Sequence, residues 1–298
     1  VWLTPQWKLL GGVRVDRFEA DNGQVNYATN NDVISLSRTK ITYSSLFSHR
    51  WGLLWQPTAM QSYHLSFGTS FNTSADSYQY TTAAVAAVPA ERSRNLELGA
   101  KLDWLDGALS TRFAVFRTDK YNERTLDVDF ARTSYTLSGQ RHSQGLDVEI
   151  AGKLTERLEL YASYTWTQKA IIDRAGIVID NTGTINDPTG QPVGLSPRHS
   201  GAIWLGYQAT AGLRLGVGVR GAADNHPLTG GTGAALASAR APGYVAYDAM
   251  VEYRFNPDLF LQLNVNNLSD KVYGDQLYPS FYVPGEGRSV RLSLGARF

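Results

Sequence analysis

Apolar residues recur at every second position along most of the chain. Val245, Tyr247, Ala249, Val251, Tyr253 and Phe255 alternate with Ala246, Asp248, Met250, Glu252 and Arg254. Leu96, Leu98, Ala100, Leu102 and Trp104 alternate with Glu97, Gly99, Lys101 and Asp103, and Leu213, Leu215, Val217 and Val219 with Arg214, Gly216, Gly218 and Arg220. Leu158, Leu160, Ala162, Tyr164 and Trp166 repeat the pattern, as do Val290, Leu292, Leu294, Ala296 and Phe298. A period of two is the signature of a strand with one apolar face, and the 3.6-residue period of a helix is hard to find.

The links between these strands alternate in length. Short ones fall at 4–6, 56–61, 105–108, 154–157, 209–212 and 256–258. Long ones, rich in Gly, Ser, Thr, Asn and Asp, are expected at 21–40, 72–92, 122–138, 171–195, 225–242 and 275–286. Twelve strands running up and down, with short turns at one end and long loops at the other, are the pattern of an outer-membrane barrel. The predicted fold class is therefore all-β, a transmembrane antiparallel up-and-down β-barrel. Crossing the hydrocarbon takes about 9–11 tilted strand residues, and most runs reach that.

Aromatic residues collect where strands meet the short turns: Trp7, Trp55, Tyr63, Trp104, Tyr207, Tyr253, Phe255 and Phe260. They read as an interfacial girdle. A soluble all-β protein is the competing reading. It has to account for Arg14, Lys101, Arg112, Asp147, Glu149, Arg220, Asp248 and Arg291 in mid-strand with no helix layer to cover them. In a barrel these face a lumen. A slip of one residue would turn them to lipid, where Arg or Lys costs about 2–4 kcal/mol at the midplane.

Composition narrows the function classes. With 28 Lys+Arg against 27 Asp+Glu the net charge is +1, which gives no basic excess for nucleic acid. The absence of cysteine excludes thiolate metal sites and thiol nucleophiles. No run approaches the 18 apolar residues of a membrane helix. Gly216, Gly218 and Gly221 fit a dinucleotide fingerprint literally, but they lie on an alternating strand with no following helix. They are expected to make room for whatever fills the lumen. His49, His64, His142, His199 and His226 lack metal-ligand spacing, so no metal site is expected. Ser143 beside His142 is the sole local hint of a hydrolase, and neighbours on a strand face opposite ways. No catalytic residues are assigned, and the chain is not expected to be an enzyme.

Several blocks identify a family. The most specific are Leu263 to Tyr273 (LNVNNLSDKVY), Pro284 to Val290 (PGEGRSV) and Ser196 to Ser200 (SPRHS). Glu91 to Lys101 (ERSRNLELGAK) and Gln144 to Glu149 (QGLDVE) accompany them. Together they resemble the C-terminal barrel half of TonB-dependent siderophore receptors, from about Trp7 to Phe298. Phe116 to Lys120, Asn122 and Arg124 are similar to the catecholate type. The terminal Phe298 resembles the signal read by the barrel assembly machinery.

The resemblance implies that residues 1–298 are the C-terminal portion of a barrel of 22 strands. The N-terminal plug domain, with its TonB-contacting segment, and the earlier strands are expected to lie in a longer protein. Val1 to Leu3 look like the tail of a preceding strand. The implied function is import of an iron–siderophore complex across a bacterial outer membrane that the monomeric chain crosses many times. The partners implied are the ferric siderophore, TonB, the assembly machinery, and outer-membrane lipid and lipopolysaccharide. No cofactor is implied, because iron travels only as the chelate. Ligand contacts are expected from Tyr78, Tyr80, Arg124, Arg132, Tyr135, Arg141, Tyr278, Phe281 and Tyr282 in the outer loops. Asp147, Glu149, Arg254 and Arg291 are expected to face the plug. The rival is a passive pore in which the twelve strands close on themselves.

Overall fold

The computed structural model describes residues 1–29, 33–73, 89–127, 134–175, 178–179, 185–187, 189–226, 240–277 and 282–297. Twelve strands form one sheet: β1 (Trp7–Tyr27), β2 (Val33–Thr58), β3 (Gln61–Asn72), β4 (Glu91–Trp104), β5 (Leu109–Asp127), β6 (Ser134–Lys153), β7 (Leu158–Arg174), β10 (His199–Gln208), β11 (Leu213–Ala222), β12 (Tyr244–Asn256), β13 (Leu259–Asn266) and β16 (Ser289–Ala296). Each pairs antiparallel with the next in the sheet. Two-stranded ribbons sit in the long connections: β8 (Val178–Ile179) with β9 (Ile185–Asn186), and β14 (Gly274–Leu277) with β15 (Tyr282–Pro284).

Register lines the outward residues up in rows across the strands. Leu102, Thr111, Ile150, Ala162, Ile203, Val219 and Tyr247 form one such row from β4 to β12. A second runs Leu158, Tyr207, Leu215, Val251, Leu263 and Leu292. Much of this face is bare: Leu98 is 59% exposed, Ile203 51% and Leu292 65%. A water-soluble protein does not leave so wide an apolar face open, so this face is solvated by lipid. The other face carries the charges. One row there reads Lys101, Arg112, Glu149, Ser163, Ala202 and Arg220.

Three of the short turns share one device. In each a threonine lies three residues before the first residue of a strand, and its hydroxyl accepts that residue's amide. Thr4 accepts from Trp7 at 3.1 Å, Thr155 from Leu158 at 3.0 Å and Thr210 from Leu213 at 3.1 Å. The turn between β4 and β5 instead uses left-handed backbone at Leu105, Asp106 and Gly107. Near these turns Trp7, Trp55 and Tyr63 stack at 5.8 and 5.2 Å, and Tyr253 meets Phe255 edge-on at 4.9 Å. Phe260 does not join this girdle. It pairs with Arg254, whose guanidinium lies 5.7 Å from the ring, so it faces the lumen side. The tight turn between β12 and β13 sets that phase, one residue away from the expected one.

The strands run further outward than the sequence suggests. The stretch 21–40, read as a loop, is ladder from Asp21↔Lys40 to Tyr27↔Val33. Likewise β5 and β6 stay paired to Asp127↔Ser134, inside the expected loop at 122–138. Beyond the membrane both faces of a strand meet water, so alternation vanishes while the hydrogen-bonded ladder continues. A bulge opposite Arg17 adds one residue to β2, so residues of opposite parity face the same side above and below it.

Among the described residues β1 and β16 do not pair with each other, which is the ladder the self-closed pore requires. Val1 lies along the free edge of β1 instead, exchanging backbone hydrogen bonds with Leu9.

The two-faced sheet makes an asymmetric prediction. Leu98→Arg, on the lipid face, should lower stability in urea titrations of the lipid-reconstituted protein by about 2–4 kcal/mol. Ser66→Arg, beside Glu97 on the polar face, should leave the midpoint nearly unchanged.

Candidate functional site

The polar face is a ladder of paired charges. His64 Nε2 bonds Glu97 at 2.8 Å, with its ring lying over Gly99. Lys101 donates to Asp103 at 3.1 Å and Arg112 to Glu149 at 3.1 Å. Arg214 donates to Glu159 at 2.5 Å, Arg220 to Asp248 at 3.1 Å and Arg254 to Glu252 at 3.3 Å. Three of the six join adjacent strands, two lie within one strand, and Arg214–Glu159 reaches across β10, so they hold neighbouring side chains against the wall.

Among the charges on this face that stand outside the ladder are Asp147, Arg291 and Arg50. Asp147 lies between Ala114 and Thr165 in its row and makes no hydrogen bond or ion pair among the described residues. It borders a hollow of about 440 Å³ with Glu97, Arg112, Glu149 and Thr165. Arg291 sits opposite Asn264, and Arg50 lies between Gly12 and Gly68; neither has an ion-pair partner among the described residues. Of the four side chains expected to face the plug, all four are on the polar face. Glu149 and Arg254 are already paired, while Asp147 and Arg291 are open.

The glycines of β11 floor an indole. A Cβ at Gly216 would lie 2.4 Å from Trp204 Cζ2, and one at Gly218 would lie 2.6 Å from Trp204 Cε3. The room expected for a lumen occupant is thus taken by a side chain of the neighbouring strand. Only the β10–β11 register reveals this, because it sets Trp204 directly opposite Gly218.

Toward the outer rim, the LNVNNLSDKVY block folds into a latch. Asn267, fully buried and at φ 50°, donates through Nδ2 to the carbonyls of Lys271 at 2.9 Å and Glu286 at 3.0 Å. Its Oδ1 accepts the Lys271 amide at 2.8 Å, and its own amide donates to Asp248 at 2.8 Å. Asp270 accepts the Arg288 amide at 2.9 Å. Tyr273 stacks on Tyr244 at 4.1 Å and accepts from Arg220 at 2.8 Å. Gly285 lies flat on the Tyr273 ring, since a Cβ there would come within 2.1 Å of it. The last long connection is therefore pinned at both ends to the β11–β12 wall. The motif was legible as a family mark, but its role depends on long-range contacts that spacing does not reveal.

A second rim network joins Asn72, Glu91, Lys120, Glu123 and Arg141. Lys120 meets Glu91 at 3.3 Å and Glu123 at 3.2 Å, while Asn72 donates to Glu91 at 3.2 Å. Arg141, expected to contact ligand, forks onto Glu123. In the connection after β7, the Thr189 hydroxyl and then its amide hold the Asp187 carboxyl below the usual carboxylate range.

Of the other expected ligand contacts, Tyr78, Tyr80, Arg132, Tyr278 and Phe281 lie outside the described residues, as does Phe298. Arg124 is in β5, Tyr135 in β6 and Tyr282 in β15, with only their backbone described. His142 bonds Asp173 at 2.8 Å on the outward face, and Ser143 points the other way.

A one-sided apolar sheet of consecutive antiparallel strands, with a charged inner face and a latched outer loop, defines the wall of an outer-membrane β-barrel. The chain belongs to the TonB-dependent receptor-like β-barrel family, whose model matches residues 2–268. It is 28% identical over 99% of its length to the probable TonB-dependent siderophore receptor PiuA of Acinetobacter baumannii, covering 39% of that protein. It is 31% identical over 97% of its length to the probable TonB-dependent receptor BfrD of Bordetella pertussis, covering 38% of it. Among solved structures, the siderophore receptor PiuA superposes with a TM-score of 0.82 at 27% identity, over 99% of this chain and 41% of that one. The closed form of the ferric-catecholate import receptor Fiu from E. coli gives 0.80 at 26% identity, over 99% of this chain and 43% of that one. The chain thus spans about two fifths of the length of these relatives. These relatives are named as receptors, and the strands lie in the outer membrane.

The latch has a measurable cost. Asn267→Ala strips hydrogen bonds from buried backbone groups and should destabilise the 267–288 connection by about 1–3 kcal/mol. Hydrogen exchange there should speed up while the β4–β7 ladder stays protected.

Proposed function

We propose that this chain is the C-terminal wall of a TonB-dependent importer of ferric siderophores, of the catecholate type. The observation that carries the reading is the open, two-faced sheet. Its apolar face needs lipid, its charged face needs water or protein, and the free edges of β1 and β16 need further strands, because lipid does not tolerate unpaired backbone. A wider barrel, extended by earlier strands and filled by a plug, meets all three needs at once. The names of PiuA and Fiu supply the substrate class.

In this reading the outer loops with Tyr78, Tyr80, Arg132, Tyr278 and Phe281, and the outer strand ends with Arg124, Tyr135 and Tyr282, meet an anionic chelate with cations and flat aromatic faces. Arg141 orders the rim through Glu123. The Asn267 latch holds the last loop over the lumen. Asp147 and Arg291, two of the wall charges without ion-pair partners among the described residues, take hydrogen bonds and ion pairs from the plug. TonB, acting from the inner membrane, loosens that plug and the chelate passes. Phe298 serves barrel assembly.

Cells producing the full-length receptor should accumulate radioactive iron from a ferric catecholate in a TonB-dependent way. Uptake unchanged by deletion of TonB would sink the proposal. Asp147→Asn combined with Arg291→Gln should raise the entry of large antibiotics several-fold while the barrel still folds. Unaltered antibiotic sensitivity would remove these residues from the plug interface.

A further inference from the structure

Arg50 is a wall charge that the ladder, the latch and the rim network leave unused. It lies in a lumen-facing row that runs Gly12, Arg50, Gly68, Asn95, Thr118 and Ser143 from β1 to β6. Arg50 is the one charge among these six residues. On β4 the row falls between Leu96 and Arg94, and on β5 between Arg117 and Asp119, where the outward face turns from apolar to charged. It therefore lies at the outer end of the hydrocarbon. The next row outward holds Lys120 and Arg141, both already engaged by carboxylates of the rim.

The Arg50 guanidinium is exposed and makes no hydrogen bond or ion pair among the described residues. Asp16 and Glu97, further along the same wall, have partners of their own: Asp16 accepts from Arg14 at 2.6 and 2.8 Å, and Glu97 bonds His64 at 2.8 Å. Arg50 also has glycine on either hand. A Cβ at Gly12 would lie 3.7 Å from Arg50 Cγ and Nε, whereas one at Gly68 would meet only Arg50 Cβ, at 3.8 Å. The stem therefore leans over β1 and leaves Gly68 bare. Beyond Gly68 stands Asn95, whose Oδ1 accepts the Thr118 hydroxyl at 2.7 Å and whose Nδ2 has no partner among the described residues. Arg50 and Asn95 are two strands apart, roughly 9–10 Å. That gap takes one oxyanion between a guanidinium and an amide donor, with no side chain in the way.

We propose, on the reading of this chain as part of a ferric-siderophore importer, that Arg50 is the charge-selecting contact of the lumen wall. Acting with Asn95 across Gly68, it takes an anionic oxygen of the chelate once the chelate has left the loops. Paired guanidinium donors suit a catecholate or carboxylate oxygen. A cation with no carboxylate to release first discriminates by ligand charge, so a more highly charged chelate is favoured over one of the same shape and lower charge. Turning the stem from Gly12 to Gly68 breaks no bond within the described fold.

The test uses the full-length receptor in detergent and one tris-catechol ligand loaded with gallium(III) or with titanium(IV). The two complexes are closely similar in shape, and the titanium one carries one negative charge fewer. Affinities are read from intrinsic fluorescence, after each variant has been checked for heat-modifiable gel mobility. The wild type should bind the gallium complex more tightly. Arg50→Gln should weaken the gallium complex about tenfold and the titanium complex about fivefold, because the Coulomb part scales with ligand charge. Arg50→Lys should restore most of the preference. Gly68→Val keeps the charge but fills the gap; it should weaken both complexes equally, and it stands if Arg50→Gln misfolds. Gallium binding unchanged in Arg50→Gln and Gly68→Val overturns the proposal. So does an Arg50→Gln receptor that keeps both affinities and instead admits large antibiotics into cells, which assigns Arg50 to a carboxylate of the plug. A wild type that binds neither complex overturns the import function itself, a result distinct from both.

Discussion

Everything in this molecule follows from having to satisfy each backbone N–H and C=O without water on one side of the wall. In a helix the partners come from the same segment, but here every strand depends on its two neighbours. That dependence makes register an all-or-nothing property. Once Leu102 is opposite Thr111 and Thr111 opposite Ile150, the side of every other residue on those strands is settled. The charged face is then a by-product of the apolar one, and its ion pairs form between strands already placed. These pairs organise the wall more than they stabilise it, because exposed pairs are worth about 0–1 kcal/mol each.

The same logic explains what could be read in advance. Within the bilayer two solvents impose a period of two, so Val245 to Phe255 or Leu96 to Trp104 declare their strands at once. The twelve-strand meander and its short turns were legible for that reason. Above the membrane there is one solvent, and 21–40 reads as a loop although it is ladder from Asp21↔Lys40 to Tyr27↔Val33. Phe260 was assigned to the wrong face because one turn's phase decides it, and hydropathy does not record phase across a turn.

The site was legible in part. Parity alone places Asp147, Glu149, Arg254 and Arg291 on the inner face, but which of them are already engaged depends on neighbours at sequence distances that follow no fixed pattern, from 2 positions for Arg254 to 37 for Glu149. Asp147 is open because its row happens to offer Ala114 and Thr165. The Asn267 latch, the indole of Trp204 over two glycines and the gap at Gly68 between Arg50 and Asn95 all belong to this class. Each joins residues on different strands, so each becomes visible only when register is known.

The bulge of β2 has a larger meaning than its size suggests. Ile41 and Leu46, on either side of it, are 1% and 3% exposed, yet their numbers differ in parity. One extra amino acid lets a single continuous ribbon serve two environments with two independent phases. The outer half of the hairpin can therefore lengthen, shorten or exchange its decoration as external demands change, without disturbing the part that the bilayer holds in place.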